Sequence, residues 1–406
     1  MKIEIDAVKG FQDFLPPESL KRDTVRKIIE KNFKLYGFLP VETPVIEYEE
    51  LMKSDSIGEE DQSVSDRFKL KDRGGRNLGL RYEFTFQLKR IFRQNPNIKL
   101  PFRRYQIGEV FRDEPIGPGR FRQFTQCDAD IIGDQSIDAD AECIALISDV
   151  LKELKIDAKI QINNRNLLNA ILESVQITDK IRVMRELDKI EKIGEDIVKS
   201  ELRKYADGNQ IMTLFKLLEK PIAFFKKNAF DGAKELIELT EKCKVYGVKA
   251  EFSPLMVRGL EYYTGNIFEI KQPGKATIAA GGRYDKLVGK MLEREIPAVG
   301  ISFGLDRVAE IANVKVEGTK MLLLSINEDE ETINLAKKLR KESISCLVMS
   351  DKPGKTLEYA NATGIPYVIF IGEEELKKKK FKIKDMKSGN EKDITEKQLI
   401  SFFKSK

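Results

Sequence analysis

Apolar side chains in residues 18–37 recur every three or four positions. Leu20, Val25, Ile28, Ile29 and Phe33 share one face of a helix that Pro16-Pro17-Glu18 opens and Gly37 stops. Residues 41–46 read as a strand interrupted by Pro44, which suits an edge or a subunit boundary because proline cannot donate to a ladder. From Leu78 to about Gly133 apolar and charged residues alternate around turn signals. The best hairpin pairs residues 102–111 with 121–132 across the loop 113–119, which predicts an antiparallel sheet. Continuing that alternation would put Arg112 on one face with Val110 and Glu114. Residues 138–154 carry a strong amphipathic helical pattern and 158–162 a short strand. Residues from about 166 to 242 then read almost wholly as helices. The β-pattern returns at 267–270 and 277–280, and residues 300–312 read as a short strand feeding a helix.

A composition shift at residues 316–318 marks a linker. Beyond it strand and helix alternate: strand 321–326, helix 330–341, strand 344–349, helix 354–363, strand 367–371, then two strands and a final helix. Such alternation predicts a small α/β domain with a largely parallel sheet.

Composition narrows the chemistry. The 406 residues are 41% hydrophobic and 34% charged, which supports buried cores rather than disorder. The net charge of +5 is too small to imply nucleic acid by itself, but it is unevenly placed. From Lys320 onward there are 18 Lys/Arg against 14 Asp/Glu, so the last domain holds most of the excess, including Lys377 to Lys380. That run is either a binding surface or a solvated lysine-rich face. The chain has no histidine and no tryptophan. Ser-His-Asp and Cys-His nucleophile machinery, a histidine base and imidazole metal ligands are therefore excluded. Cys127, Cys143, Cys243 and Cys346 form no CxxC pair, so a reducing, cytoplasmic setting is expected. The N-terminal residues lack an apolar signal core, and no stretch approaches the roughly 18 apolar residues of a membrane span. No metal-ligand motif and no P-loop are present, and Gly117-x-Gly119 is not followed by the helix a dinucleotide fold needs.

Four clusters carry candidate chemistry. The first is the arginine-dense hairpin FRRYQIGEVFRDEPIGPGRFRQFTQCDAD, residues 102–130. Arginine is favoured where a planar multi-donor cation must grip phosphate; a ladder of surface ion pairs is the other reading. RGLEYYTG (258–265) and AAGGRYD (279–285) place glycines beside arginine and tyrosine, which lets a ligand approach the backbone, or simply makes turns over core tyrosines. In GISFGLDR (300–307), Arg307 either projects to a ligand or pairs with Asp306.

In this order and spacing the segments resemble a class II aminoacyl-tRNA synthetase, specifically the histidyl-tRNA synthetase family. VKGFQDFLPPE looks like that family's N-terminal signature, and YGFLPVETPVIEYEELM resembles motif 1 with Pro44 as its proline. EVFRDEPIGPGRFRQFTQCDADIIG resembles motif 2, AVGISFGLDRV resembles motif 3, and RGLEYYTG and AAGGRYDKLVG look like the family's histidine-binding signatures. The likeness runs from about Val8 to the C-terminus. Two departures stand out. Lys286 replaces the glycine often found after GGRYD, and Leu80-Arg81-Tyr82-Glu83-Phe84-Thr85 is similar to the archaeal and eukaryotic style of active site rather than the usual bacterial one.

The resemblance implies an α+β catalytic domain with a mixed, mainly antiparallel sheet (residues 1–165 and 245–316), a helical insertion (166–244) and an anticodon-binding α/β domain (319–406). It implies ATP-dependent ligation of histidine to tRNA(His) through a histidyl-adenylate, by a cytoplasmic homodimer without membrane attachment, with Mg²⁺ carried on the ATP phosphates. Arg112 would hold the α-phosphate and the substrate carboxylate, and Arg258 would act at the α-phosphate as the catalytic arginine and count among the histidine-binding residues. Glu114 would read the adenine amino group, Phe124 would stack on the ring, Arg307 would cover its other face and touch the γ-phosphate, and Arg120 would assist at the distal phosphates. Glu83, Thr85 and Gln126 would take the α-amino group. Asp130 and Tyr263 would bracket the imidazole and Tyr262 would line the pocket. The alternative is a non-catalytic relative such as the regulatory subunit of ATP phosphoribosyltransferase, which resembles the catalytic domain alone.

Overall fold

The computed structural model describes residues 5–52, 67–117, 119–258, 262–272, 277–316 and 318–404. Gly259, Leu260 and Glu261 of the first glycine–tyrosine segment, Pro118 of the hairpin loop and Glu317 of the linker lie outside these. The chain falls into two compact units, residues 1–314 and 315–406.

The first unit is built on eight strands: β1 (Leu39–Pro40), β5 (Phe102–Phe111), β6 (Gln123–Ile132), β7 (Lys159–Asn164), β8 (Ala250–Phe252), β9 (Asn266–Lys271), β10 (Thr277–Arg283) and β11 (Ala298–Gly304). They run in the order β1-β5-β6-β11-β10-β9-β7-β8. Only the outermost pairs, β1 with β5 and β7 with β8, are parallel. This is the expected mixed, mainly antiparallel sheet. A separate three-stranded sheet joins β2 (Ile46–Tyr48), β3 (Lys69–Lys71) and β4 (Asn77–Leu80).

Residues 41–46 do not form the expected strand. The chain pairs with β5 only at Leu39–Pro40, and the Val41 N–H continues to the Tyr105 carbonyl. Pro44 ends that run, and pairing resumes at Ile46 against Leu80 of β4. The long hairpin forms as expected, with Phe102 opposite Ile132 and Phe111 opposite Gln123. Its return strand starts at Gln123, two residues later than the alternation suggested.

Alternation along β6 divides the unit into two sides. Cys127, Ala129 and Ile131 enter the main core with Val25, Ile29 and Phe33 of the first helix (Glu18–Leu35). The helix Ile137–Glu153 lies in that core along most of its length, which is why Ala139, Cys143, Ile144, Leu146 and Ile147 are all sheltered. Gly37 ends the first helix at φ +76°, a conformation that costs glycine little. On the opposite face of β6, Gln126, Asp128 and Asp130 line a cavity. The helices from Arg165–Ser174 to Ala233–Val245 continue the same core and contribute Leu187, Asp188, Ile190, Glu191 and Lys192 to the cavity wall.

The second unit has the order β13-β12-β14-β15-β16, from Cys346–Met349, Met321–Ser325, Tyr367–Ile371, Phe381–Asp385 and Glu391–Ile394. The first three strands are parallel and the last two antiparallel, so the sheet is mixed rather than largely parallel. Apolar side chains pack on both faces, Met321, Leu323 and Ile369 on one, Leu322, Leu324 and Val368 on the other. A short helix, Glu373–Lys378, was not anticipated. It gives Lys377 and Lys378 partners four residues back, Glu373 and Glu374. Half of the four-lysine run is thus an ion-pair ladder on one helix face.

Candidate active site

The cavity encloses about 680 Å³, and every residue to which a site role was given in the sequence lines it. Their routes into it differ.

Arg112 leaves the end of β5, so strand alternation no longer sets its direction. Its guanidinium carbon lies 4.2 Å from the Tyr82 ring centre and 5.0 Å from that of Phe124, and its Nε donates to the Tyr82 carbonyl at 3.4 Å. Two aromatic faces thus hold it without spending its terminal nitrogens. Glu114 accepts from the Tyr82 hydroxyl at 3.2 Å and pairs with Arg120 at 3.2 Å. Arg307, on the helix Leu305–Ile311, donates to the Gly119 carbonyl at 3.3 Å and to the Thr277 carbonyl at 2.9 Å. Its neighbour Asp306 does not pair with it. Asp306 accepts from Arg22 at 2.6 Å and from the Thr125 N–H at 3.0 Å. Burial, then the nearby charges of Arg120 and Arg112, lower the pKa of Arg307. Three guanidiniums crowded against their own repulsion make an anion site.

Arg258 follows a different pattern. It sits at φ +39°, a conformation rare for any residue with a Cβ. Its Nη1 donates to Glu269 Oε1 at 3.1 Å, and its Nε has no hydrogen-bond partner among the described residues. Glu269 also pairs with Lys271 at 2.9 Å, and Lys271 with Glu191 at 2.6 Å. Burial works against the Glu269 charge, but Arg258, Lys271 and Thr277 keep its pKa below the usual carboxylate value.

A second group of side chains is acidic. Glu83 stands just ahead of the helix Phe86–Gln94, and its Oε1 accepts from the Thr85 and Phe86 N–H groups at 3.1 and 2.8 Å. The Tyr262 hydroxyl donates to Oε2 at 3.2 Å. Burial raises the pKa of Glu83 in spite of these donors. Asp130 is paired with Arg104 at 2.7 Å and hydrogen-bonded to the Tyr284 hydroxyl. Arg104 is fully sheltered and lies directly across the hairpin from Asp130. Gly300, the cross-strand neighbour of Asp130 on β11, has no room for more: a Cβ there would sit 2.0 Å from Asp130 Oδ1. The Tyr263 and Tyr262 rings pack at a tilt with centres 4.9 Å apart, and both line the wall. Gln126 donates to the Ser302 hydroxyl at 2.8 Å, while its Oε1 has no partner.

The sequence patterns assign no role to Asp128, Arg104, Ser302 or Tyr284, although all four lie in the candidate segments, and do not single out Glu269. For Asp128 a signal existed: it lies two residues from Gln126 and two from Asp130, so a β6 strand that points those inward must point Asp128 inward as well. The pairs Asp130–Arg104 and Arg258–Glu269 depend on cross-strand registry, which local pattern does not reveal.

Chemically, the cavity offers guanidiniums for a polyanion and sheltered carboxylates for a cation. The sequence profile of histidyl-tRNA synthetase matches residues 10–308, and that of an anticodon binding domain matches residues 320–406. Histidine–tRNA ligase 1 of Bacillus cereus is 38% identical, covering 96% of this chain and 95% of its own. The histidine–tRNA ligase of Clostridium tetani is 34% identical over 98% and 97%. Among solved structures, histidyl-tRNA synthetase from Nostoc sp. PCC 7120 superimposes with a TM-score of 0.88 at 27% identity, covering all of both chains. A Bacillus halodurans protein described as an ATP phosphoribosyltransferase regulatory subunit/histidyl-tRNA synthetase shares the fold, with a TM-score of 0.75 at 24% identity, over 91% of this chain and 99% of that one.

Proposed function

The chain belongs to the histidyl-tRNA synthetase family, and from that premise we propose that the cavity described above activates histidine with ATP and passes it to tRNA(His). The enzyme is a class II histidine–tRNA ligase. One observation carries the assignment of roles: a single cavity presents Arg112, Arg120, Arg258 and Arg307 together with the sheltered carboxylates Glu83, Asp128 and Asp130. An amino acid and ATP need both, because the reacting groups are anions and the amino acid's own head is a cation.

Adenylate formation is an in-line displacement at phosphorus, so the protein's contribution is positioning and charge neutralisation. Arg112, fixed between Tyr82 and Phe124, is directed at the α-phosphate and the attacking carboxylate. Arg258 covers the α-phosphate from the Glu269 side. Arg307 and Arg120 take the distal phosphates, with Glu114 at the adenine amino group and Phe124 beside the ring. Glu83, Thr85 and Gln126 surround the ammonium, and the imidazole lies between the Asp130 wall and Tyr263. No proton-transferring side chain is needed, which is compatible with a chain that contains no histidine. A pocket that hydrogen-bonds its ligand at both ends rejects apolar amino acids strongly.

Mg²⁺ would travel on the ATP phosphates. Among the described residues no group of three carboxylates or thiols converges into a metal cage, and Glu114 is shared with Tyr82 and Arg120; the donors present suit a metal that brings most of its ligands with it. A homodimer is supported by the exposed apolar residues Leu39, Val45, Ile46 and Tyr48 in the motif 1 segment. The cytoplasm is where tRNA and ATP meet, and the four cysteines are buried free thiols. Among the described residues no helix is long and apolar enough to cross a membrane.

The regulatory-subunit reading is disfavoured by the anticodon-binding segment at 320–406 and by relatives at 34–38% identity named histidine–tRNA ligases. Histidine-dependent ATP–pyrophosphate exchange and charging of tRNA(His) separate the two. An enzyme gives both; no exchange with pure protein, ATP, Mg²⁺ and histidine would reject it.

A further inference from the structure

None of residues 8–18 lines the cavity, yet this N-terminal segment is joined to the cavity's arginine-rich end through Arg22. The ladder between β6 and β11 ends at the pair Gln126–Gly304, where β11 gives way to the helix Leu305–Ile311. One residue beyond, the Thr125 N–H donates to Asp306 Oδ2 at 3.0 Å, so a side chain takes over from the strand. Arg22 of the first helix closes the group. Its Nη1 meets Asp306 Oδ1 at 2.6 Å, and its Nη2 donates to the Thr125 hydroxyl at 3.3 Å. Phe14 lies against the guanidinium, with its ring centre 3.6 Å from Arg22 Cζ. The Arg22 and Asp306 side chains are 13% and 12% exposed, so solvent screens the pair little.

Asp306 carries the wrong sign for an anion site, and it shares the cavity wall with Arg307. Glu114, also near the arginines, is already paired with Arg120. A bare carboxylate at Asp306 would repel a triphosphate and offset the Arg307 charge. Burial and the charges of Arg120 and Arg112 depress the Arg307 pKa, and Asp306 is close enough to counter them in part. Arg307 itself is held by two neutral carbonyls, of Gly119 and Thr277, which orient it without cancelling its charge. We propose that Arg22 is a positioning residue for the ATP site: it neutralises Asp306 and pins it beside Thr125, so that the Arg307 helix stays docked on β6 and the triphosphate meets an Arg307 charge that no free carboxylate offsets. This rests on the reading of Arg307 as a ligand of the distal phosphates. It also gives the N-terminal segment a task, since Phe14 stacks on the guanidinium that does the neutralising.

The test measures histidine-dependent ATP–pyrophosphate exchange in wild type, Arg22→Gln, Arg22→Lys, Asp306→Asn and the Arg22→Gln/Asp306→Asn double variant at one fixed excess of Mg²⁺. AMP, which lacks the distal phosphates, serves as a competitive inhibitor. Gln keeps a long side chain against Phe14 but drops the charge, and Asn keeps an acceptor for the Thr125 N–H. Arg22→Gln should raise KM for ATP about tenfold, with KM for histidine and the inhibition constant of AMP within about twofold of wild type. Arg22→Lys should recover most of that loss. In the Asp306→Asn background the same Arg22 substitution should cost less than about twofold, because no charge is left to neutralise. An unchanged KM for ATP in Arg22→Gln would overturn the proposal. So would equal rises for ATP, AMP and histidine, or a full penalty in the Asp306→Asn background, since either would make the pair a packing contact only. Wild type without exchange activity, or Arg307→Ala with a normal KM for ATP, would instead reject the reading beneath the proposal, which is a separate outcome from an active enzyme indifferent to Arg22.

Discussion

Arg258 donates to Glu269 at 3.1 Å, and Glu269 is held in turn by Lys271 and the Thr277 hydroxyl. The arginine proposed to act at the α-phosphate is thus aimed by a carboxylate three positions after Asn266 on the interior strand β9. Removing Arg258 deletes charge where it develops in the transition state. Arg258→Ala should cut the exchange rate by about a hundredfold or more while histidine binding, followed by calorimetry, survives. Near-normal exchange would refute the role.

Glu269→Gln keeps the shape but loosens the aim. The expected effect is a fall of roughly tenfold in kcat with little change in KM for histidine, since Arg258 would still be present but less well oriented. A change confined to KM would mean that Glu269 serves binding rather than the chemical step.

Asp140 is fully sheltered and pairs with Arg283, which also donates to the Asp134 and Ser136 carbonyls at 3.0 and 2.9 Å and pairs with Asp285 at 3.4 Å. Asn266 also donates to Asp140 at 3.3 Å. Asp140→Ala removes the closer of the two carboxylates on this sheltered guanidinium and should destabilise the first unit by about 3–5 kcal/mol. Denaturant midpoints read by loss of exchange activity measure it; a loss under about 1 kcal/mol would mean that Arg283 finds a new partner.

For Asp128 the sign of the pH dependence follows from its raised pKa. In the ligand-free protein the folded state keeps a proton up to about pH 8, whereas the unfolded chain releases it near pH 4. Stability from this group is therefore complete below about pH 4 and is lost as pH rises towards 8, by up to roughly 1.4 kcal/mol per unit. Glu83, Arg104 and Asp130 face Asp128 in wild type and variant alike. The melting temperature of wild type should fall relative to Asp128→Asn between about pH 5 and 8, and parallel curves would contradict the raised pKa.

The second unit has its own core on both faces of its sheet. Deleting the residues after Gly318 should cripple tRNA charging while leaving much of the exchange reaction. Equal charging by the full and shortened proteins would reduce Lys379, Lys380 and their neighbours to a solvated face.

Much of this protein was legible without coordinates. The period of the apolar residues located the first helix, the long hairpin, the helical insertion and the alternating last domain, because those periods are set by local backbone geometry. The motif segments named the family, and all twelve residues they marked do line one cavity. What local pattern could not decide is who partners whom. The proline-broken segment at 41–46 was read as one strand, yet its two ends join different sheets. Arg307 and Asp306 are adjacent in the chain, yet Asp306 is taken by Arg22 from the first helix. Asp128 and Asp130 look alike in the sequence, and only the registry of β5 against β6 sets Arg104 opposite Asp130. Periodicity belongs to a segment. The pairing of charges belongs to contacts between segments far apart in the chain, and those exist only once the sheet has closed.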